Sequence, residues 1–146
     1  MYNDLKPDNV LVGNKPLRSL RKKQVITDED LTEYSKIKLV DFGLVTRYLD
    51  EQGKHIENGV SDKFKGSMLF ASKYVFNFTM TSRRDDLISL CYLLIFLMDE
   101  NQLGIITQVE GMGKKEKFKY IKNHKLAMTA EQLCGTEETK PETCRL

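Results

Sequence analysis

The string Asp4-Leu5-Lys6-Pro7-Asp8-Asn9 sets a carboxylate, an amine and a carboxamide within one turn-sized loop just before an apolar run. Phosphoryl transfer uses those three groups together: a carboxylate orients the attacking hydroxyl and accepts its proton, a lysine stabilises charge on the transferred group, and an amide oxygen ligates magnesium. On its own the spacing D-x-K-x-x-N means little and is more readily read as a surface turn. A second cluster, Asp41-Phe42-Gly43, follows the apolar run Ile37-Lys38-Leu39-Val40. A carboxylate at a strand's end suits magnesium, which takes hard oxygen ligands and few of them from protein. Phe42 is expected to pack beneath the loop, and Gly43 to supply backbone freedom.

These groups need elements to hold them. Val10-Leu11-Val12 and Ile37 to Val40 are β-rich runs that can pair as a hairpin, with Asn9 and Asp41 at its open end. Residues 13–36 between them carry the basic cluster Arg18, Arg21, Lys22, Lys23 and the acidic cluster Asp28, Glu29, Asp30, Glu33, and read as a solvated, mobile insertion. Residues 46–82 are mixed and polar, mostly loop with room for one short helix. Ser82 can cap a helix that starts Arg83-Arg84-Asp85-Asp86, with acidic groups where the helix dipole favours them, and runs on through the apolar stretch to Met98. That stretch, from Leu87, is shorter than the roughly 20 residues of a spanning helix and contains Ser89, so a buried core helix is expected. A further helix is expected over Lys114 to Lys125, with Phe118 and Ile121 on one side, and a third, short one from Thr129 through Cys134. The polar tail 135–146 reads as disordered.

Composition bounds the answer without naming it. In 146 residues, 40% hydrophobic and 30% charged, the chain is globular in type, and Lys+Arg 23 against Asp+Glu 21 gives no reason to expect nucleic acid or an anionic membrane as a partner. Three cysteines without C-x-x-C spacing fit neither a disulfide framework nor a zinc site, which favours a reducing intracellular setting, cytoplasm or nucleus.

Taken together the two loops resemble the protein kinase family, whose catalytic loop reads H-R-D-x-K-x-x-N and whose metal loop reads D-F-G. Within that family the chain is most similar to the casein kinase I group, which continues D-F-G-L-A-K-K-Y, then G-T-A-R-Y-A-S, then S-R-R-D-D-L-E-S-L-G-Y. Here the corresponding strings are Asp41 to Tyr48, Gly66-Ser67-Met68-Leu69-Phe70-Ala71-Ser72, and Ser82 to Tyr92. The resemblance covers residues 1–134. It implies an α+β, mainly α fold: part of a kinase C-lobe with a small β-hairpin and a central buried helix. It implies Asp4 as catalytic base, Lys6 as the phosphate-side lysine, Asn9 and Asp41 as ligands of Mg2+ and so of ATP, and Phe42, Gly43 and Asp86 as supports, Asp86 by accepting hydrogen bonds from the catalytic-loop backbone. For Asp86, capping of its own helix is the other reading. The implied reaction is transfer of the ATP γ-phosphoryl group to a protein Ser or Thr.

The chain also departs from that pattern. Tyr2 and Asn3 stand where the family has histidine and arginine, so phosphate-gated activation is not expected. Thr46 and Leu69 replace the lysine and arginine with which casein kinase I enzymes recognise phosphorylated or acidic substrates, and Cys91 replaces a glycine. No glycine-rich phosphate loop, strand lysine or partner glutamate occurs, so the chain reads as a fragment inactive alone, completed by a separate N-lobe or by a partner that covers exposed core. A non-catalytic kinase-like binding module is the alternative. A small-molecule phosphotransferase is disfavoured by Gly66 to Ser72 and Ser82 to Tyr92, which suit a peptide-binding lobe.

Overall fold

A computed structural model of the chain describes residues 1–13, 27, 36–98 and 107–129. Most of the expected insertion 13–36, the expected short helix beyond Thr129, and the tail 135–146 lie outside the described residues. The chain divides into two compact units, one of Pro7–Gly43 and the other of Met1–Lys6 with the residues from Leu44 on.

The first unit is a hairpin. Strands β1 (Val10–Val12) and β2 (Ile37–Leu39) pair antiparallel with Val10 opposite Leu39, Leu11 opposite Lys38 and Val12 opposite Ile37. The ladder extends one step at each end: the Gly13 N–H donates to the Lys36 carbonyl (3.0 Å) and the Val40 N–H to the Asn9 carbonyl (3.1 Å). A single 3-10 turn, Pro7–Asn9, leads into β1. Proline suits this turn because its fixed φ matches and its missing N–H goes unused. Leu11, Val12, Ile37 and Leu39 all remain exposed. A two-stranded ribbon has no second layer in which to bury them.

The second unit is helical. Helix α1 (Lys73–Phe76) is one turn capped by Ser72, α2 spans Arg83–Met98, and α3 spans Lys114–Ala127, two residues beyond the expected end at Lys125. Phe76 and Ile121, both fully buried, form a core with Ala71, Val75 and Val109. Around it Phe64, Phe76 and Phe118 meet with ring centroids 5.0 to 5.3 Å apart, in the tilted and edge-on geometries that aromatic quadrupoles favour.

Helix α2 differs from the expected buried core helix. One side is covered: Asp85, Ser89, Tyr92 and Leu93 are buried, and Phe96 meets Phe70 edge to face. On the other side Leu87, Leu94 and Leu97 are 63%, 51% and 64% exposed. The helix is apolar all round, whereas the described residues of this unit supply a core for one side only.

Candidate functional site

The segment Met1–Lys6 is pinned along the second unit. Backbone N–H groups of Tyr2 and Asn3 both donate to the Asp86 carboxylate, at 2.8 Å each, in the first turn of α2. The Thr46 N–H donates to the Met1 carbonyl (3.0 Å), and the Asn3 side-chain amide donates to the Leu44 carbonyl (2.7 Å) and to the Thr46 hydroxyl (2.8 Å). Asn3 sits at φ 69°, a left-handed conformation that asparagine tolerates better than most residues. Gly66 packs against the same loop from the far side. At φ +91° it lies so close that a Cβ there would come within 2.3 Å of the Asn3 carbonyl oxygen.

This framework presents Asp4 and Lys6. Asp4 is 8% exposed, and its carboxylate lies 3.0 Å from the Lys6 ammonium. Both line a groove of about 860 Å³, together with Phe64, Gly66, Ser67, Met68, Lys114, Lys115 and Phe118. A buried carboxylate beside a cation, in a groove lined by both apolar and basic side chains, can take a hydroxyl proton while negative charge gathers nearby.

Asn9 and Asp41 belong to the hairpin unit. Asn9 is buried, and its carbonyl accepts from Val40, so the ladder itself sets the two residues at the same end. Asp41 adopts φ 61°, and its Oδ1 accepts the Gly43 N–H at 3.3 Å. One carboxylate and one carboxamide beside the ends of the paired strands fit the oxygen preference of magnesium, and leave most of an octahedral shell to water and phosphate oxygens. Among the described residues there is no cluster of three or more His, Cys, Asp or Glu able to hold a metal. Phe42 departs from expectation: it is 63% exposed rather than packed beneath the loop.

Four contributors were missed in the sequence. Asp85 is buried, and its carboxylate accepts from the Ser72 hydroxyl, from the Ser82 N–H (2.8 Å) and from the Ser82 hydroxyl (3.2 Å), joining the end of the 66–72 segment to the start of α2. Ser82 followed three residues later by an acidic group is capping-box spacing, a signal that was available. Lys114 and Lys115 read as helix surface. Lys125 continues the Phe118 and Ile121 stripe at helical spacing, which flags a cation at an apolar position.

No family model matches the chain. The "Casein kinase 1-like protein HD16" of Oryza sativa subsp. japonica is 30% identical over 136 residues, which is 92% of this chain and 16% of that protein. This similarity suggests a kinase-related family. It spans about a sixth of the relative's length, so the activity of the whole relative is not carried over with the match. Among the described residues no helix is long and apolar enough to cross a membrane.

Proposed function

We propose that the chain is the substrate-side part of a casein kinase I-like Ser/Thr protein kinase. The observation that carries this reading is the Asp4–Lys6 pair, 3.0 Å apart in the lining of a groove of about 860 Å³. Asp4 accepts the proton of a substrate Ser or Thr hydroxyl as its oxygen bonds to the γ-phosphorus of ATP and the bond to the ADP oxygen breaks. Lys6 faces the charge that spreads over the transferred group. Asp86 holds the backbone at residues 2 and 3, so Asp4 is presented without a search of loop conformations. Asn9 and Asp41 would hold Mg2+, which with ATP bound neutralises charge on the phosphates. The groove's walls, with Lys114 and Lys115 at its rim, suit a protein segment better than a small molecule.

A non-catalytic kinase-like module is the second reading. It is favoured by Tyr2 and Asn3 in place of histidine and arginine, and by the exposed ring of Phe42. The two readings separate in a fusion of this chain to the ATP-binding lobe and remaining large-lobe helices of a casein kinase I. Phosphate transfer to casein that is lost in Asp4→Asn supports catalysis. A folded fusion that binds ATP yet transfers nothing supports the binding module.

A further inference from the structure

Lys125, in the last turn of α3, is 3% exposed. Its ammonium donates to the carbonyl oxygens of Leu69 and Ala71, each at 2.6 Å. It lies 3.9 Å from the centroid of the Tyr92 ring and 5.8 Å from that of Phe76. Among the described residues no carboxylate pairs with it. Burying a cation without a counter-ion is costly, and at this place on the stripe with Phe118 and Ile121 a leucine or methionine would pack without that cost. Neither could satisfy two carbonyls.

Those carbonyls belong to a tight turn in which the Phe70 and Ala71 N–H groups both donate to the Ser67 carbonyl (3.2 and 2.7 Å). The turn is held in front where Gly66 meets Asn3 and behind where Ser72 meets Asp85. Between them Lys125 supplies the anchor. Ser67 and Met68, at the front of the same turn, form a wall of the groove that carries Asp4 and Lys6.

We propose that Lys125 is a positioning residue that clamps the Ser67–Ala71 turn from behind and so sets the wall of the Asp4–Lys6 groove. The clamp stands whether or not the chain transfers phosphate. The groups facing the amine are Tyr92 from α2, the uncharged ring of Phe76 from α1, the two carbonyls of the turn, and His124 beside it on α3. Burial pulls the Lys125 amine down to about 7. A neutral amine still has two N–H donors, one for each carbonyl, so the turn keeps its place in both charge states while its amides sense the change of charge.

The test is NMR of the full chain across about pH 5.5 to 9, a range that brackets the titration and excludes ordinary lysines. The Lys125 13Cε resonance should titrate near neutrality, and the amides of Phe70 to Ser72 should follow with the same midpoint. Lys125→Met should abolish that midpoint and speed exchange of the turn's amides by about tenfold or more relative to those of Tyr92 and Leu93, because a local anchor is lost. Lys125→Arg, whose guanidinium can span two carbonyls, should restore the protection without the titration. Turn amides that ignore the Lys125 titration in the wild-type chain overturn the proposal even if Lys125→Met does not fold. So does a folded Lys125→Met chain whose turn exchanges no faster than the wild type.

Discussion

The Asn3 side chain donates to the Thr46 hydroxyl at 2.8 Å, linking two positions at which the chain departs from the casein kinase I pattern. Where that pattern has an arginine and a lysine, both cations, this chain has a neutral amide and a neutral hydroxyl joined by one hydrogen bond, while the buried Asn3 Oδ1 has no hydrogen-bond partner among the described residues. The loop before Asp4 is therefore closed by an internal hydrogen bond, with no basic pair left there to receive a phosphate. Asn3→Ala should destabilise the chain by roughly 1 to 2 kcal/mol, through lost hydrogen bonds and the cost of a left-handed alanine. Asn3→Gly removes the side chain but keeps φ 69° accessible, so the difference between the two variants in urea melts isolates the backbone part. In a double-mutant cycle with Thr46→Val the coupling should be about 0.5 to 1.5 kcal/mol.

Gly66→Ala is expected to be among the most disruptive small changes in the chain. At φ +91° any side chain is strained, by about 1 to 3 kcal/mol, and the added Cβ meets backbone rather than a flexible side chain. Either the 66–72 turn or the Asn3–Asp4 backbone must then shift. Thermal melts should show a lowered midpoint, and NMR shift changes should concentrate at residues 2 to 6 and 66 to 72. Changes confined to the turn would mean that the two segments do not bear on each other.

Stability should also depend on pH through Lys125. Burial lowers its folded value from 10.5 to about 7, so between those limits the unfolded chain holds the proton more tightly than the folded one. Stability contributed by this group is thus complete above the unfolded value and is lost as pH falls through about 7. Burial, and next to it the charge of Lys125, lowers His124 as well, which adds a slope of the same sign at more acidic pH. Urea midpoints should climb from about pH 6.5 to 8.5, and that climb should flatten in Lys125→Met. A midpoint that falls over this range would contradict the burial of the amine.

Local chemistry made much of this legible. The hairpin was readable because Val10 to Val12 and Ile37 to Leu39 are β-rich and bounded by turn residues, and α2 and α3 because their starts carry cap signals or their faces a helical period. The carbonyl clamp of Lys125, the close approach of Gly66 to Asn3 and the hydrogen bond from Ser72 to Asp85 were not legible. Each joins residues far apart in sequence, and no local periodicity encodes such a meeting. The exposed side of α2 failed for a related reason: an all-apolar helix announces burial, but what covers it is a property of other segments. Phe42 is the same case in miniature, since the D-F-G string carries the ring but the surrounding ribbon decides whether it is covered.

The polypeptide of these 146 residues, assayed alone, should bind magnesium weakly and transfer no measurable phosphate. On the proposed reading Asn9 and Asp41 would supply two oxygens to a cation that wants six, so metal affinity should emerge only when nucleotide phosphates complete the shell. Magnesium titrated without ATP should leave the resonances of Asn9, Asp41 and Gly43 nearly unmoved. With ATP present the same titration should shift them, and Asp41→Asn should remove the response. Transfer is a stricter demand, because it depends on holding the γ-phosphorus in line with the hydroxyl at Asp4, and misplacement by about 1 Å can cost 100-fold. The sequence contains no glycine-rich phosphate loop of the kinase type to perform that alignment. Phosphorylation of casein by the purified polypeptide, sensitive to Asp4→Asn, would show that alignment is achieved by groups other than those, and tight magnesium binding without nucleotide would show that the hairpin offers more ligands than Asn9 and Asp41.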